Sequence, residues 1–180
     1  MGEITKLSRK IVLFGPESSG KTTLGNELAA HFEGVCIEEY LRVFCEKKAG
    51  TPVIGDMPFI FKGQYDSEIQ IQEESISWIF YDTNPLQLLV YHQFYFGTLP
   101  ADRDAFFHPE NYQLYLLCSP DLKWENDPMR DMPERRMELF GLFKAELQKR
   151  HLPFRIIEGQ GNARLQTAIQ SVEDFFAQKL

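Results

Sequence analysis

The segment Gly15-Pro16-Glu17-Ser18-Ser19-Gly20-Lys21-Thr22 constrains this chain more than any other feature. It fills every fixed position of G-x-x-x-x-G-K-[ST], a loop whose glycines let the backbone wrap an anion while amides, a lysine and a hydroxyl neutralise it. At ordinary residue frequencies an accidental match in a chain of 180 residues has a probability on the order of one per cent. Context lowers that further. A continuous apolar run over 10–14 leads straight into Gly15, and a helical pattern with Leu24, Leu28 and Phe32 begins near Gly20. A strand-to-helix turn of this kind aims backbone N–H groups and the positive end of a helix dipole at one anion. The segment therefore predicts that Gly15, Glu17, Ser18, Ser19, Gly20, Lys21, Thr22 and Thr23 hold a nucleoside triphosphate. Lys21 reaches the β- and γ-phosphates and acts in transfer, and Thr22 ligates Mg²⁺, so ATP and Mg²⁺ are the implied cofactors.

Short apolar runs alternate with helical patterns along the whole chain, which is the signature of a parallel sheet covered on both faces. Five strands are expected, at 10–14, Val35–Ile37, 77–81, 113–118 and Phe154–Ile157. Helices are expected from about Gly20, over Tyr40–Lys48, from Asp56 and Pro58, from Pro85 to near Gly97, over 133–150, and from about Gly161. In the third of these, Asp56 is read as the N-cap and Phe61, Tyr65 and Ile69 as the repeating apolar positions. Together with the phosphate loop, this pattern predicts an α/β chain with the three-layer P-loop kinase fold, a five-stranded parallel sheet with helices on both faces. The length suits a single domain over 1–180.

A net charge of −7 argues against a nucleic-acid partner, because the molecule as a whole repels phosphate backbones. Cys36, Cys45 and Cys118 are odd in number and lack C-x-x-C spacing, which suggests neither a disulfide framework nor zinc and fits a reducing cytoplasm. No apolar run reaches the 18 or so residues that a membrane span needs, so no membrane partner is expected. Oligomeric state leaves no mark in the sequence.

Ligands of open α/β sheets sit outside the carboxyl ends of the strands, so the acids that follow strands are the first candidates for chemistry. Asp82 closes the apolar run of the third strand, as a carboxylate that holds the metal or its water should. Glu38 and Glu39 close the second. Phosphoryl transfer to an alcohol needs a carboxylate to accept the hydroxyl proton in line with the γ-phosphate, and Glu39 and Asp82 are the candidates. Charge also builds on the transferring oxygens, which arginines on a mobile segment can neutralise. Arg130, Arg135 and Arg136 lie in the polar stretch at 119–136, the expected lid, with Arg130 read as catalytic and Arg135 as a nucleotide contact. Gly159-Gln160-Gly161 is a candidate adenine-side loop.

Five segments in order, Gly15 to Leu24, Glu39-Tyr40-Leu41-Arg42, Asp82-Thr83-Asn84, Tyr95-Phe96-Gly97 and Trp124 to Arg130, resemble the nicotinamide riboside kinase domain of NadR-type proteins. The likeness extends over nearly the whole chain. It implies transfer of the ATP γ-phosphate to the 5′-hydroxyl of nicotinamide riboside, a small-molecule nucleoside, giving nicotinamide mononucleotide for NAD salvage. It also implies Glu39, Tyr40, Arg42, Asp82 and Tyr95 as acceptor-side residues, with acids and aromatic faces suited to a cationic ring. NadR-type proteins carry a DNA-binding segment and an adenylyltransferase domain before the kinase domain. Here the phosphate loop begins at Gly15, so the kinase domain alone is expected. The chain departs from the family pattern at Asn84, where the family has a second acid, and at Pro128-Met129, where it has Gly-Leu. A kinase for another nucleoside or small alcohol, or an ATP-dependent switch, stays open beside this reading.

Overall fold

The computed structural model describes residues 8–71, 76–101, 105–124 and 133–178. The expected apolar runs form its strands: β1 (Arg9–Phe14), β2 (Val35–Ile37), β3 (Trp78–Asp82), β4 (Leu114–Cys118) and β5 (Phe154–Ile157). All are parallel, in the order β2-β3-β1-β4-β5, so β1 lies at the centre with β3 on one side and β4 on the other. The helices are α1 (Lys21–His31), α2 (Tyr40–Lys48), α3 (Met57–Ile69), α4 (Pro85–Phe96), α5 (Arg136–Lys149) and α6 (Gly161–Ala177).

Side chains alternate across a strand, and β1 divides the core accordingly. Ile11 and Leu13 point into a cluster with Leu24 and Leu28 of α1 and Ala168 and Val172 of α6. Val12 and Phe14 point the other way, among Ile60 and Phe61 of α3, Leu86 and Leu89 of α4, and Leu139 and Phe143 of α5. Both faces of the central strand are covered, which is why its sequence is apolar without alternation. The carboxyl ends of β1 and β3 then meet at one edge of the sheet, where Leu13 pairs with Asp82.

Two expectations about α3 need correction. Asp56 occupies the N-cap position, but its side chain makes no cap bond to the helix. Its carboxylate accepts from Val53 N–H at 2.7 Å and from Lys48 Nζ, closing a short 3₁₀ turn at Ile54–Asp56 ahead of the helix. Nor do Phe61, Tyr65 and Ile69 form the buried stripe, since Ile69 is 60% exposed. The buried face runs through Met57, Ile60, Phe61, Gln64 and Glu68. The apolar repeat was misphased because two positions on the inward face are polar. Their burial is made tolerable by hydrogen bonds to one another and to Tyr112.

Candidate active site

The phosphate loop is held open by its own carbonyls. Lys21 donates from Nζ to Pro16 O at 2.9 Å; Arg136 donates to Ser18 O at 3.2 Å, and Arg164 to Ser19 O at 2.7 Å. Three cationic side chains from three elements thus engage backbone oxygens. Gly15 has φ of +143°, and a Cβ there would come within 2.7 Å of Cys118 O, so only glycine lets the loop leave β1 this close to β4.

Thr22, on the first turn of α1, donates its hydroxyl to Asp82 Oδ2 at the end of β3. Asp82 is 2% exposed, and its other oxygen, Oδ1, has no partner among the described residues. A buried carboxylate oxygen without a partner is costly unless an absent ligand completes it. The set of a hydroxyl and a carboxylate oxygen suits a hard cation such as Mg²⁺. Among the described residues no group of three or more His, Cys, Asp or Glu side chains gathers, so such an ion would take its remaining ligands from phosphate and water.

Glu39 lines the same cleft as Lys21 and Thr22, a space of about 400 Å³. Burial pushes its carboxyl above the ordinary range; Lys21 and Arg42 work against the shift, and Asp82 adds to it. A buried relay ties it to the phosphate loop. Gly15 N–H donates to Gln87 Oε1 at 3.0 Å, Gln87 Nε2 donates to Thr83 Oγ1 at 2.8 Å, and Thr83 Oγ1 faces Glu39 Oε1 at 3.4 Å. Gln87 and Thr83 are both fully buried. Thr83 adopts φ of +85°, a conformation a β-branched residue takes only under strain, and such strain collects at functional sites. Asn84 caps α4 by accepting from Gln87 N–H at 3.3 Å, which leaves Asp82 free of that duty.

Residues 17–23 of the loop, Glu39, Arg42 and Tyr95 all line the cleft, as do Leu88, Tyr91 and His92 of α4. Other expected site residues lie elsewhere. Tyr40 turns its ring onto α3, where a Cβ on Gly63 would fall 2.0 Å from it, and its N–H is received by Gln64 Oε1 at 3.0 Å. That amide satisfies one of the free N–H groups at the start of α2, so α2, and Glu39 just before it, is anchored by α3. Arg135 turns away from the loop: it forms a forked pair with Glu138 at 2.7 and 2.8 Å and stacks on Phe94 at 4.0 Å. Arg136, one residue on, is the arginine that reaches the loop, bonded also to Leu122 O and lying over Trp124. Arg130 and residues 125–132 of the expected lid lie outside the described residues. The loop at 159–161 is tied to Asp121, whose carboxylate receives Gly159 N–H at 2.7 Å and Arg164 Nη1 at 2.8 Å. No helix among the described residues is long and apolar enough to cross a membrane.

Reasoning from the sequence alone missed Gln87, Gln64, Arg164 and the role of Thr83. The two glutamines did leave a signal. Each is an amide set among inward-facing apolar residues, and a buried amide must be spending its hydrogen bonds on something.

A family model described as an AAA domain matches residues 10–164. No curated protein sequence matches the chain. Among solved structures, the NadR protein in complex with NR is similar at 23% identity and a TM-score of 0.75, over 94% of this chain and 51% of that one. This chain therefore spans about half the length of the NadR structure. Thymidylate kinase from Ehrlichia chaffeensis is similar at 15% identity and a TM-score of 0.64, over 92% of this chain and 98% of that one. Deoxyadenosine kinase from M. mycoides, with products dCMP and dCDP bound, is similar at 12% identity and a TM-score of 0.65, over 92% and 99%. The shared architecture is the P-loop kinase fold.

Proposed function

We propose that this chain, which belongs to the AAA domain family, is an ATP-dependent kinase that transfers the γ-phosphate to the 5′-hydroxyl of a nucleoside, with nicotinamide riboside as the preferred acceptor. The observation that carries the reading is the second carboxylate. A loop that only bound ATP would need the lysine, the threonine and Asp82, but Glu39 faces the same cleft and is held to the loop through Gln87 and Thr83.

Each residue then has a task. Backbone amides of the phosphate loop and Lys21 hold the β- and γ-phosphates, once the ammonium leaves Pro16 O. Thr22 and the unpartnered Oδ1 of Asp82 would hold Mg²⁺, which when bound would neutralise charge on the phosphates during transfer. Glu39 takes the proton of the acceptor hydroxyl as that oxygen attacks the γ-phosphorus and the bond to ADP breaks. A carboxyl raised by burial is a better base for this than a solvated one. Arg136 supports the loop at Ser18, while Arg130 is the expected cation for the transferring group. Support for nicotinamide riboside comes from the resemblance in the sequence, from the fold shared with NadR in complex with NR, and from a cleft in which Glu39, Tyr91 and Tyr95 would meet a cationic ring.

The test is ATP consumption measured against a panel of nucleosides that includes nicotinamide riboside, with Lys21→Ala as the control. Turnover with one nucleoside and a loss of roughly 100-fold or more in the variant is expected. Absence of turnover with every nucleoside would remove the reading.

A further inference from the structure

Glu17 is the acid of the phosphate loop, and an acid there is unexpected, because a carboxylate facing a triphosphate repels it. The structure turns it elsewhere. Tyr91 of α4 donates its hydroxyl to Glu17 Oε2 at 3.0 Å, while Oε1 is buried and has no partner among the described residues. Tyr91 belongs to the face of α4 that lines the cleft with Leu88, His92, Tyr95 and Phe96, spaced as one side of a helix. That wall is aromatic and carries neither Lys nor Arg, so it offers a polyphosphate little and a nucleoside a great deal. Burial and the neighbouring Glu17 and Glu39 hold the Tyr91 phenol well above its ordinary value, so its hydroxyl keeps its proton and stays a donor to Glu17.

We propose that Glu17 reads the acceptor and not the nucleotide, its free Oε1 accepting a hydrogen bond from a ring hydroxyl of the nucleoside's sugar. This rests on the kinase reading above and adds the contact that selects the sugar. A carboxylate already committed through one oxygen to a buried phenol is fixed in direction. Glu17 lines the cleft, and a sugar hydroxyl that reaches its second oxygen satisfies an atom that otherwise stays buried without a partner.

Calorimetric titration tests this without relying on turnover. Nicotinamide riboside, its 2′,3′-dideoxy counterpart and Mg-ATP are each titrated into the wild-type protein and into Glu17→Ala. The expected result is that Glu17→Ala weakens the riboside by roughly 10- to 100-fold while ATP affinity stays within about twofold, which also shows that the variant is folded. The dideoxy compound should bind the wild type as weakly as the riboside binds Glu17→Ala, and the variant should no longer distinguish the two. Weakened ATP binding with riboside affinity intact would overturn the assignment and leave the kinase reading standing. So would a wild type that binds riboside and dideoxy compound alike, a result that depends on no variant. If ATP binds the wild type and no nucleoside does, the acceptor reading fails and this inference fails with it.

Discussion

Glu68 offers a measurement that separates the buried polar network from ordinary packing. It is 8% exposed, it accepts from Gln64 Nε2 at 3.1 Å and from the Tyr112 hydroxyl, and burial pushes its carboxyl from 4.5 up to about 7 against those bonds and the attraction of Lys10. A raised carboxyl means that the folded state keeps a proton which the unfolded chain releases near 4.5. Stability from this group is therefore fully present below that value and is lost as pH rises through about 7. Each pH unit between the two values is worth about 1.4 kcal/mol, so the loss is on the order of 3 kcal/mol, complete by about pH 8. Glu68→Gln keeps the shape and one acceptor and cannot ionise. At pH 5 wild type and variant should melt together. At pH 8 the variant should be the more stable by up to that amount, roughly 6–12 °C in melting temperature for a chain of this size. Thermal melts of both proteins at intervals from pH 5 to 8 provide the comparison. The difference isolates Glu68, because every other ionisable group is common to both proteins. A gap between the two proteins that is the same at pH 5 and pH 8 would refute the reasoning, since the carboxyl would then not change its charge in that interval.

Thr83 carries the relay from the phosphate loop to Glu39, so Thr83→Val, which keeps shape and loses the hydroxyl, should lower kcat by roughly 10- to 100-fold, and Thr83→Ser should restore most of it; equal losses in both would point to packing instead. At Gly63 an added Cβ falls 2.0 Å from the Tyr40 ring. Gly63→Ala should therefore cost about 1–3 kcal/mol in urea unfolding and, by shifting the start of α2, should reduce kcat more than it changes KM for ATP. An unchanged unfolding midpoint would show that Tyr40 has room to move.

The phosphate loop and strand positions were legible because their signals are local. Gly15 through Thr22 carries its chemistry in consecutive residues, and β2 and β5 fell where short apolar runs end at polar residues or glycine. The third helix was placed nearly correctly and turned wrongly. Its period was read from Phe61, Tyr65 and Ile69, which are apolar, whereas the inward face is completed by Gln64 and Glu68, which are not. Periodicity finds a helix face only where that face is apolar throughout. The same limit hid Gln87, although an amide set between Leu86 and the apolar run Leu88-Leu89-Val90 could have been read as buried and committed.

What remained out of reach depends on which polar atoms meet after the chain has folded. Gly15 and Gln87 are 72 positions apart, Arg136 and Ser18 118 apart, and Arg164 and Ser19 145 apart. Arg135 and Arg136 are indistinguishable by type and position in the sequence. Arg135 ends a short 3₁₀ turn ahead of α5 and stacks on Phe94, whereas Arg136, the first residue of α5, reaches Ser18 O, so the packing around the turn decides which one points toward the loop. Tyr40 shows the same dependence from the other direction. Its place beside Glu39 suggested a ligand contact, but the absence of a side chain at Gly63 lets the ring settle on α3. The site is thus built in two steps: a local motif fixes where phosphate goes, and long-range contacts, invisible to pattern, fix the carboxylates around it. Substitutions at the motif's fixed positions Gly15, Gly20, Lys21 and Thr22 should therefore abolish nucleotide binding, whereas substitutions in the network should leave it intact and act on the acceptor step.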